Sequence, residues 1–393
     1  MDANKNVVSG KRAQWFQCPD SQRCGGCQLL KLPYSAQLRE KQAFVESLLS
    51  PFGHVSPIRG MENPFHYRNK VHAVFATDKS GNPISGIYQE GTHHVIPVRN
   101  CLIENQDASR IIHVITDMLK GTGWRIYNEY THRGHVRHAV IRISESTRQI
   151  MVTLVVTTFD LPGLDHFVDA LLQACPEIST IVLNLNTRVS SVVLGNREKI
   201  IYGPGYIDDI LLGKRFRISS RSFYQVNSRQ TEVLYQTAID LCHLKGQETL
   251  LDAYCGTGTI GICASDHVHK LIGVEINKSA VDDARINASV NHVNRSSFYV
   301  GDAGKFMHSM NQDGKSPDIV IMDPPRSGSS DAFLSAILAC LPSTLLYISC
   351  NPETLQRDLH TLIQGYNVEA IIPVDMFPCT HHVETVCLLT HKG

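Results

Sequence analysis

Asp252-Ala253-Tyr254-Cys255-Gly256-Thr257-Gly258-Thr259-Ile260-Gly261 is the stretch that decides the fold. An apolar run at 250–253 leads into it, its glycines stand at G-x-G-x-x-G spacing, and a helical pattern opens behind them to about residue 265. Glycines there let the backbone approach a ligand, and a helix N-terminus favours an anionic group. Downstream, strand-like runs at 270–275, 297–300, 319–322 and 345–349 alternate with helical ones, beginning with 278–291. Runs at 368–375 and 384–390 close the chain as a hairpin. This alternation predicts an α/β domain with a doubly wound, Rossmann-like, mostly parallel sheet over residues 221–393.

Glu275 lies 23 residues after Asp252, at the end of the next strand, where a carboxylate suits the two hydroxyls of a ribose. A dinucleotide and S-adenosylmethionine both fit such a turn. Asp302 ends the third strand, placed to accept from an adenine amino group, and Asp323-Pro324-Pro325-Arg326 ends the fourth. A dehydrogenase needs neither, so the pair favours S-adenosylmethionine. A glycine turn that merely packs helix on strand would need none of the three carboxylates.

Cys350, in Ser349-Cys350-Asn351-Pro352, sits at the ligand-binding edge of such a sheet. Alone it reads as a small buried hydrophobe. Facing a methyl donor, it reads as the nucleophile that methylation of a pyrimidine at C5 requires. Uracil C5 is a poor nucleophile until a thiolate adds to C6 and makes the ring an enolate. A base must then take the C5 proton so that elimination frees the enzyme. Glu384, in His381-His382-Val383-Glu384-Thr385, is the candidate base, with His381 and His382 as alternatives.

These motifs carry a resemblance. Ser222-Phe223-Tyr224-Gln225-Val226-Asn227, the Asp252–Gly261 turn, the Asp323 and Cys350 motifs, and Asp375-Met376-Phe377-Pro378 through Glu384 closely resemble the bacterial RNA uridine-C5 methyltransferases over about 170 residues. The resemblance implies a class I methyltransferase domain, S-adenosylmethionine as cofactor and RNA as partner. It implies Cys350 as nucleophile and Glu384 as base. Gln225, Tyr254, Gly256, Glu275, Asp302 and Asp323 are then cofactor-binding, and Phe223 and Asp323 face the substrate. The family has Phe where Tyr224 stands, and commonly His where Cys379 stands. An amino-methylating enzyme usually has an aromatic after the two prolines, where this chain has Arg326.

Cys18, Cys24 and Cys27 fall within ten residues, and Cys101 follows at a distance. Four thiolates suit zinc or an iron–sulfur cluster, and the spacing alone leaves the metal open. The resemblance implies a [4Fe-4S] cluster, because the ribosomal-RNA branch of the family carries one at this spacing and the tRNA branch generally lacks it. Cys175, Cys242, Cys263, Cys340 and Cys387 read as core.

Upstream of the sheet, residues 1–30 form an N-terminal segment with three cluster cysteines, its first 17 residues a polar tail. Residues 31–60 hold a helix striped by Leu38, Phe44, Val45, Leu48 and Leu49, packing on the catalytic domain. Residues 61–220 read as a central α+β RNA-binding domain carrying the iron–sulfur site. Its strand-like runs lie at 71–75, 84–88, 94–98, 136–143, 150–157, 180–186 and 191–194, and its helices at 107–119 and 163–174. Only 17 residues precede Cys18, too few for the small β-barrel with which many family members begin. Arg133, His135 and Arg137 alternate as on one strand face, and Arg133 and Arg137 are the candidate phosphate contacts.

The 393 residues carry 37 Lys plus Arg against 37 Asp plus Glu. That balance excludes a wholesale cationic coat but not a local basic surface. No apolar run reaches the ~18 residues of a membrane span, and no secretory leader is visible. Twelve cysteines without such a leader indicate a reducing, cytoplasmic setting. The expected protein is a monomer that methylates C5 of a uridine in 23S rRNA. A tRNA-directed enzyme is the alternative, and a non-catalytic iron–sulfur RNA-binding protein is the alternative from another class.

Overall fold

The computed structural model describes residues 18–393, so the tail at 1–17 lies outside the described residues. A short helix, α1 (Ser21–Cys24), precedes α2 (Tyr34–Leu49). The central domain is a seven-stranded sheet of β1 (Lys70–Thr77), β2 (Pro83–Tyr88), β3 (Val95–Pro97), β4 (Val136–Ile143), β5 (Ile150–Val156), β6 (Ile178–Leu185) and β7 (Arg197–Tyr202), in the order β3-β2-β1-β4-β5-β6-β7. Only β5 and β6 pair in parallel. Helices α3 (Gln106–Met118) and α4 (Leu164–Ala174) cover one face through Ile111, Ile115, Phe167 and Leu171.

Two departures from the expected strands have physical causes. Residues 191–194 form a loop, not a strand. Asn186 gathers that loop by donating to the Val192 and Val193 carbonyls at 2.7 and 2.9 Å. The strand is β7 instead, an exposed edge whose Arg197-Glu198-Lys199 start gives no apolar alternation. A hairpin of β8 (Tyr206–Leu211) and β9 (Lys214–Ser219) follows. It turns through Leu212 and Gly213, both at positive φ, as a two-residue turn matched to strand twist requires.

The catalytic sheet joins β10 (Thr249–Ala253), β11 (Lys270–Glu275), β12 (Ser296–Val300), β13 (Ile319–Met322), β14 (Thr344–Ser349), β15 (Tyr366–Val374) and β16 (Glu384–His391) in the order β12-β11-β10-β13-β14-β16-β15. Counted within this domain the order is 3-2-1-4-5-7-6, parallel except for β16, which runs antiparallel to both neighbours. The order reverses between β10 and β13, so the ligand crevice of an open α/β sheet belongs at their C-terminal ends. Helices α5 (Ser228–Leu241), α6 (Thr259–Ala264) and α7 (Lys278–Val290) pack on one face. Helices α8 (Ala303–Gln312), α9 (Asp331–Cys340) and α10 (Pro352–Leu362) pack on the other.

Helix α2 joins that second face through Val45 and Leu49, which share a core with Leu251, Tyr347 and Leu359. Its buried line is Gln37, Lys41, Val45 and Leu49, spaced by four, while Phe44 is exposed. The expected apolar stripe is therefore half polar, and the partners of Gln37 and Lys41 explain why below. Among the described residues no helix is long and apolar enough to cross a membrane.

Candidate active site

The glycine turn begins with strain. Tyr254 takes φ 63°, a left-handed conformation uncommon outside glycine. It is held by its hydroxyl, 3.1 Å from Ser329 Oγ, and by edge-on packing on Phe333. Gly258, at φ 78°, starts α6. At Gly261 a Cβ would stand 2.7 Å from the Asp252 carboxylate, which accepts that residue's N–H. Glu275, ending β11, accepts from the Gly256 and Asn277 N–H groups at 3.2 and 2.7 Å. Asp302 caps α8 by accepting from Lys305 N at 3.0 Å.

These ends open into one cleft of about 670 Å³. Its lining includes every expected cofactor residue: Gln225, Tyr254, Gly256, Glu275, Asp302 and Asp323. Phe223, Cys350 and Glu384 share it. Phe223 stands 71 % exposed at the rim, an unusual setting for Phe and a ready stacking surface. Asp323 follows β13, Cys350 follows β14 and Glu384 begins β16, so three neighbouring strand ends converge.

The electrostatics follow from that convergence. Glu384 is 5 % exposed, and burial together with the facing Asp323 pushes its carboxyl well above the usual range. Burial likewise raises Asp323. Two recessed carboxyls in one site hold a proton between them that separate ones would release. Burial first, then Glu384 and Asp323, pushes the Cys350 thiol up to about 11, with Arg326 acting in the opposite direction. The free site thus stores a neutral thiol beside a proton-retaining carboxylate pair. The thiolate that adds to C6 forms only as pH rises. The kcat/KM for RNA is expected to climb from about pH 6 to about pH 9 without a plateau. A profile already flat at neutral pH would show a thiol ionised in the free enzyme.

Sequence reasoning missed part of the lining. Ile276, 73 % exposed directly after Glu275, adds an apolar wall with Ala280, and Asn277 stands beside it. A branched apolar residue directly after the ribose-type carboxylate was the available signal. Arg326, Phe377 and His382 complete the site, with Arg326 Nη2 3.4 Å from His382 Nδ1.

Comparison with known proteins identifies the chain. The sequence profile described as tRNA (Uracil-5-)-methyltransferase matches residues 33–392. An RNA methyltransferase of Halalkalibacterium halodurans is 40 % identical over 382 residues, 96 % of this chain and 83 % of the relative. One of Listeria innocua is 39 % identical, over 99 % of this chain and 86 % of its own. The chain belongs to the RNA uracil-5 methyltransferase family. Among solved structures, the Pyrococcus abyssi tRNA (uracil-54, C5)-methyltransferase in complex with S-adenosyl-L-homocysteine superposes with a TM-score of 0.77. It is 27 % identical, covering 93 % of this chain and 86 % of that one. This methyltransferase is therefore an S-adenosylmethionine-dependent RNA (uracil-5-)-methyltransferase on a class I fold.

Of the two expected phosphate contacts, Arg137 is corrected. It is 2 % exposed on β4, a strand buried on both faces. Its guanidinium pairs with Glu129 at 3.0 Å, donates to the Arg188 carbonyl at 2.8 Å and lies over the Tyr127 ring. Arg133 is exposed in the turn before that strand. Arg137→Ala is expected to lower stability by about 3 kcal/mol, because Glu129 loses its partner. Arg133→Ala is expected to leave stability unchanged and reduce the salt slope of RNA binding by about one. Thermal melts and a salt titration check both.

Cys18, Cys27 and Cys101 pack on one small cluster around Leu30, Met61, Tyr67 and Cys379. Burial pushes the Cys27 and Cys101 thiols up to about 12, and both lie close enough to Cys24 to feel its charge. Cys18 bears on Cys24 and Cys27 in the same way. Among the described residues, no group of three or more His, Cys, Asp or Glu side chains stands in metal-holding geometry.

Proposed function

We propose that this enzyme methylates C5 of a uridine in 23S rRNA through a covalent bond between Cys350 and uracil C6. The observation that carries the chemistry is the meeting of Cys350, Glu384 and Asp323 in the cleft that Tyr254, Glu275 and Asp302 also line. S-adenosylmethionine supplies an electrophilic methyl group on a sulfonium. Glu275 suits its ribose hydroxyls and Asp302 its adenine. The Cys350 thiol gives up its proton to solvent as sulfur adds to C6, and electrons move onto O4. Those electrons return through C5, which would take the methyl group as its bond to the sulfonium breaks and leaves a neutral thioether. Glu384 removes the C5 proton, the C5–H electrons form the C5=C6 bond, and the C6–S bond breaks toward Cys350. Phe223 at the rim suits stacking on an extruded base, and Arg133 suits a phosphate.

The four cysteines support the ribosomal target through the resemblance, which ties a [4Fe-4S] cluster at this spacing to that branch. An all-thiol, half-buried donor set fits a soft thiolate-bound iron centre, whose positive charge would relieve the cost of ionising those thiols. Cys18, Cys24, Cys27 and Cys101 would hold it. Its presence is expected as four irons with matching labile sulfide per chain and a brown colour; a colourless chain with one zinc would contradict it. The tRNA reading draws on the tRNA (uracil-5-)-methyltransferase activity of the family profile and of the Pyrococcus relative. Mass mapping of 5-methyluridine in rRNA and tRNA from a strain lacking the enzyme decides the target. Loss from 23S rRNA alone is expected; loss from tRNA alone would transfer the assignment.

A further inference from the structure

The loop between β15 and β16, which delivers Glu384 to the cleft, is held almost entirely from outside the catalytic sheet. Each of its first five residues is fixed by a hydrogen bond from another element. The Asp375 carboxylate accepts from Tyr34 Oη at 2.8 Å and from Lys41 Nζ at 2.6 Å. Its backbone N–H donates to the Arg59 carbonyl, and its carbonyl accepts from Gln230. The Met376 carbonyl accepts from Asn227 Nδ2 at 2.9 Å, and the Phe377 carbonyl from Lys41 Nζ at 3.0 Å. The Pro378 carbonyl accepts from Tyr67 Oη at 3.0 Å. Cys379, at φ 70°, donates its N–H to Gln37 Oε1 at 2.9 Å and accepts from the Leu29 N–H.

Three of these groups, Tyr34, Gln37 and Lys41, lie on one face of α2 at spacings of three and four. The Lys41–Asp375 pair is nearly sealed from water, at 2 % and 0 % exposure. Stability is a weak reason for such a pair, since well-packed apolar residues commonly serve as well. What the pair does supply is direction. One ammonium ties the first residue of the loop to its third. The third, Phe377, lines the cleft, and so do His382 and Glu384 farther along.

We propose that Lys41, assisted by Tyr34 and Gln37, is a positioning residue for proton removal. Helix α2 holds residues 375–379, and through them sets Glu384 at the height at which it reaches the C5 proton. This rests on the reading of Glu384 as the base. Glu384 acts only after the bond from Cys350 to C6 has formed. A displaced loop therefore slows the second half of the reaction and spares the first. The mark of lost positioning is a longer-lived covalent enzyme–RNA adduct, which a merely destabilised protein would not show.

The test uses full-length enzyme, S-adenosylmethionine and total RNA from a strain lacking the enzyme. Lys41→Met is expected to lower kcat about 10²-fold, as a misplaced catalytic group does, while KM for the methyl donor stays within about twofold. Covalent adduct on denaturing gels is expected to rise above wild type. Because Lys41→Met leaves the buried Asp375 carboxylate without its counter-charge, Lys41→Met/Asp375→Asn is measured beside it. That variant is expected to melt like wild type yet keep the low kcat and the long-lived adduct. Tyr34→Phe, which removes one hydroxyl and keeps the fold, is expected to move both readings in the same direction by a smaller amount. Wild-type turnover without extra adduct in folded Tyr34→Phe and in the double variant overturns the proposal. Glu384→Gln runs in parallel. If it accumulates adduct and the Lys41 and Tyr34 variants do not, the positioning role alone fails. If it does not, the reading of Glu384 fails first.

Discussion

Cys350→Ala is expected to remove methyl transfer altogether, by about 10⁴-fold or more, while leaving the fold and cofactor binding intact. The size of the loss follows from the chemistry. Without addition at C6, uracil C5 carries too little electron density to attack a methyl group, and no second route exists through the same cleft. The charged side chains that bear on Cys350 are Glu384, Asp323 and Arg326, none of which is a substitute soft nucleophile. The half-buried position of Cys350 leaves room for alanine at little cost in packing. Transfer of radiolabelled methyl into RNA, set against cofactor binding by calorimetry, separates catalysis from folding. Retention of full activity by this variant would remove the covalent mechanism.

Glu384→Gln is expected to produce the opposite signature with a loss of about 10²- to 10⁴-fold in turnover, the range for a general base. Here Cys350 still adds and the methyl group still moves, but the C5 proton has no acceptor and the adduct cannot resolve. The product is RNA covalently held by the enzyme and stable in denaturant. Glutamine preserves the shape of a side chain that is almost fully buried beside Asp323, so the fold tolerates it. Removing one of two facing carboxyls also lowers the proton affinity of the other. The pH dependence of the residual rate is therefore expected to shift toward lower pH, checked by the rate of adduct formation at several pH values. An enzyme that stays free of covalent RNA yet still forms 5-methyluridine would point to His382, in the same cleft, as the proton acceptor.

The parts of this account that were legible in the sequence are those where a residue type meets a backbone requirement. The turn at 252–261 is readable because Gly258 needs a left-handed backbone and Gly261 needs a bare Cα against Asp252. Glu275, Asp302 and Asp323 are readable because each stands at or just after the end of a parallel strand, and those ends share one edge. Arg137 was not readable, because alternation assigns a strand two faces but not which is covered, and β4 is covered on both. The edge strand β7 was hidden because, exposed on nearly every residue, it carries no burial pattern. The buried line of α2 was hidden for a related reason. Gln37 and Lys41 lie in the interior only because Asp375 and the amide of Cys379, more than 330 residues away, meet them there. A polar residue made internal by a distant partner leaves no local trace.

The central claim, a bond between Cys350 and uracil C6 on the path to 5-methyluridine, is tested most directly by peptide mass spectrometry. Glu384→Gln enzyme is incubated with S-adenosylmethionine and the RNA, then digested with nuclease and protease. The account predicts the Cys350 peptide carrying one methylated, ring-saturated uridine nucleotide. An unmodified Cys350 peptide alongside an adduct on any other residue would contradict it.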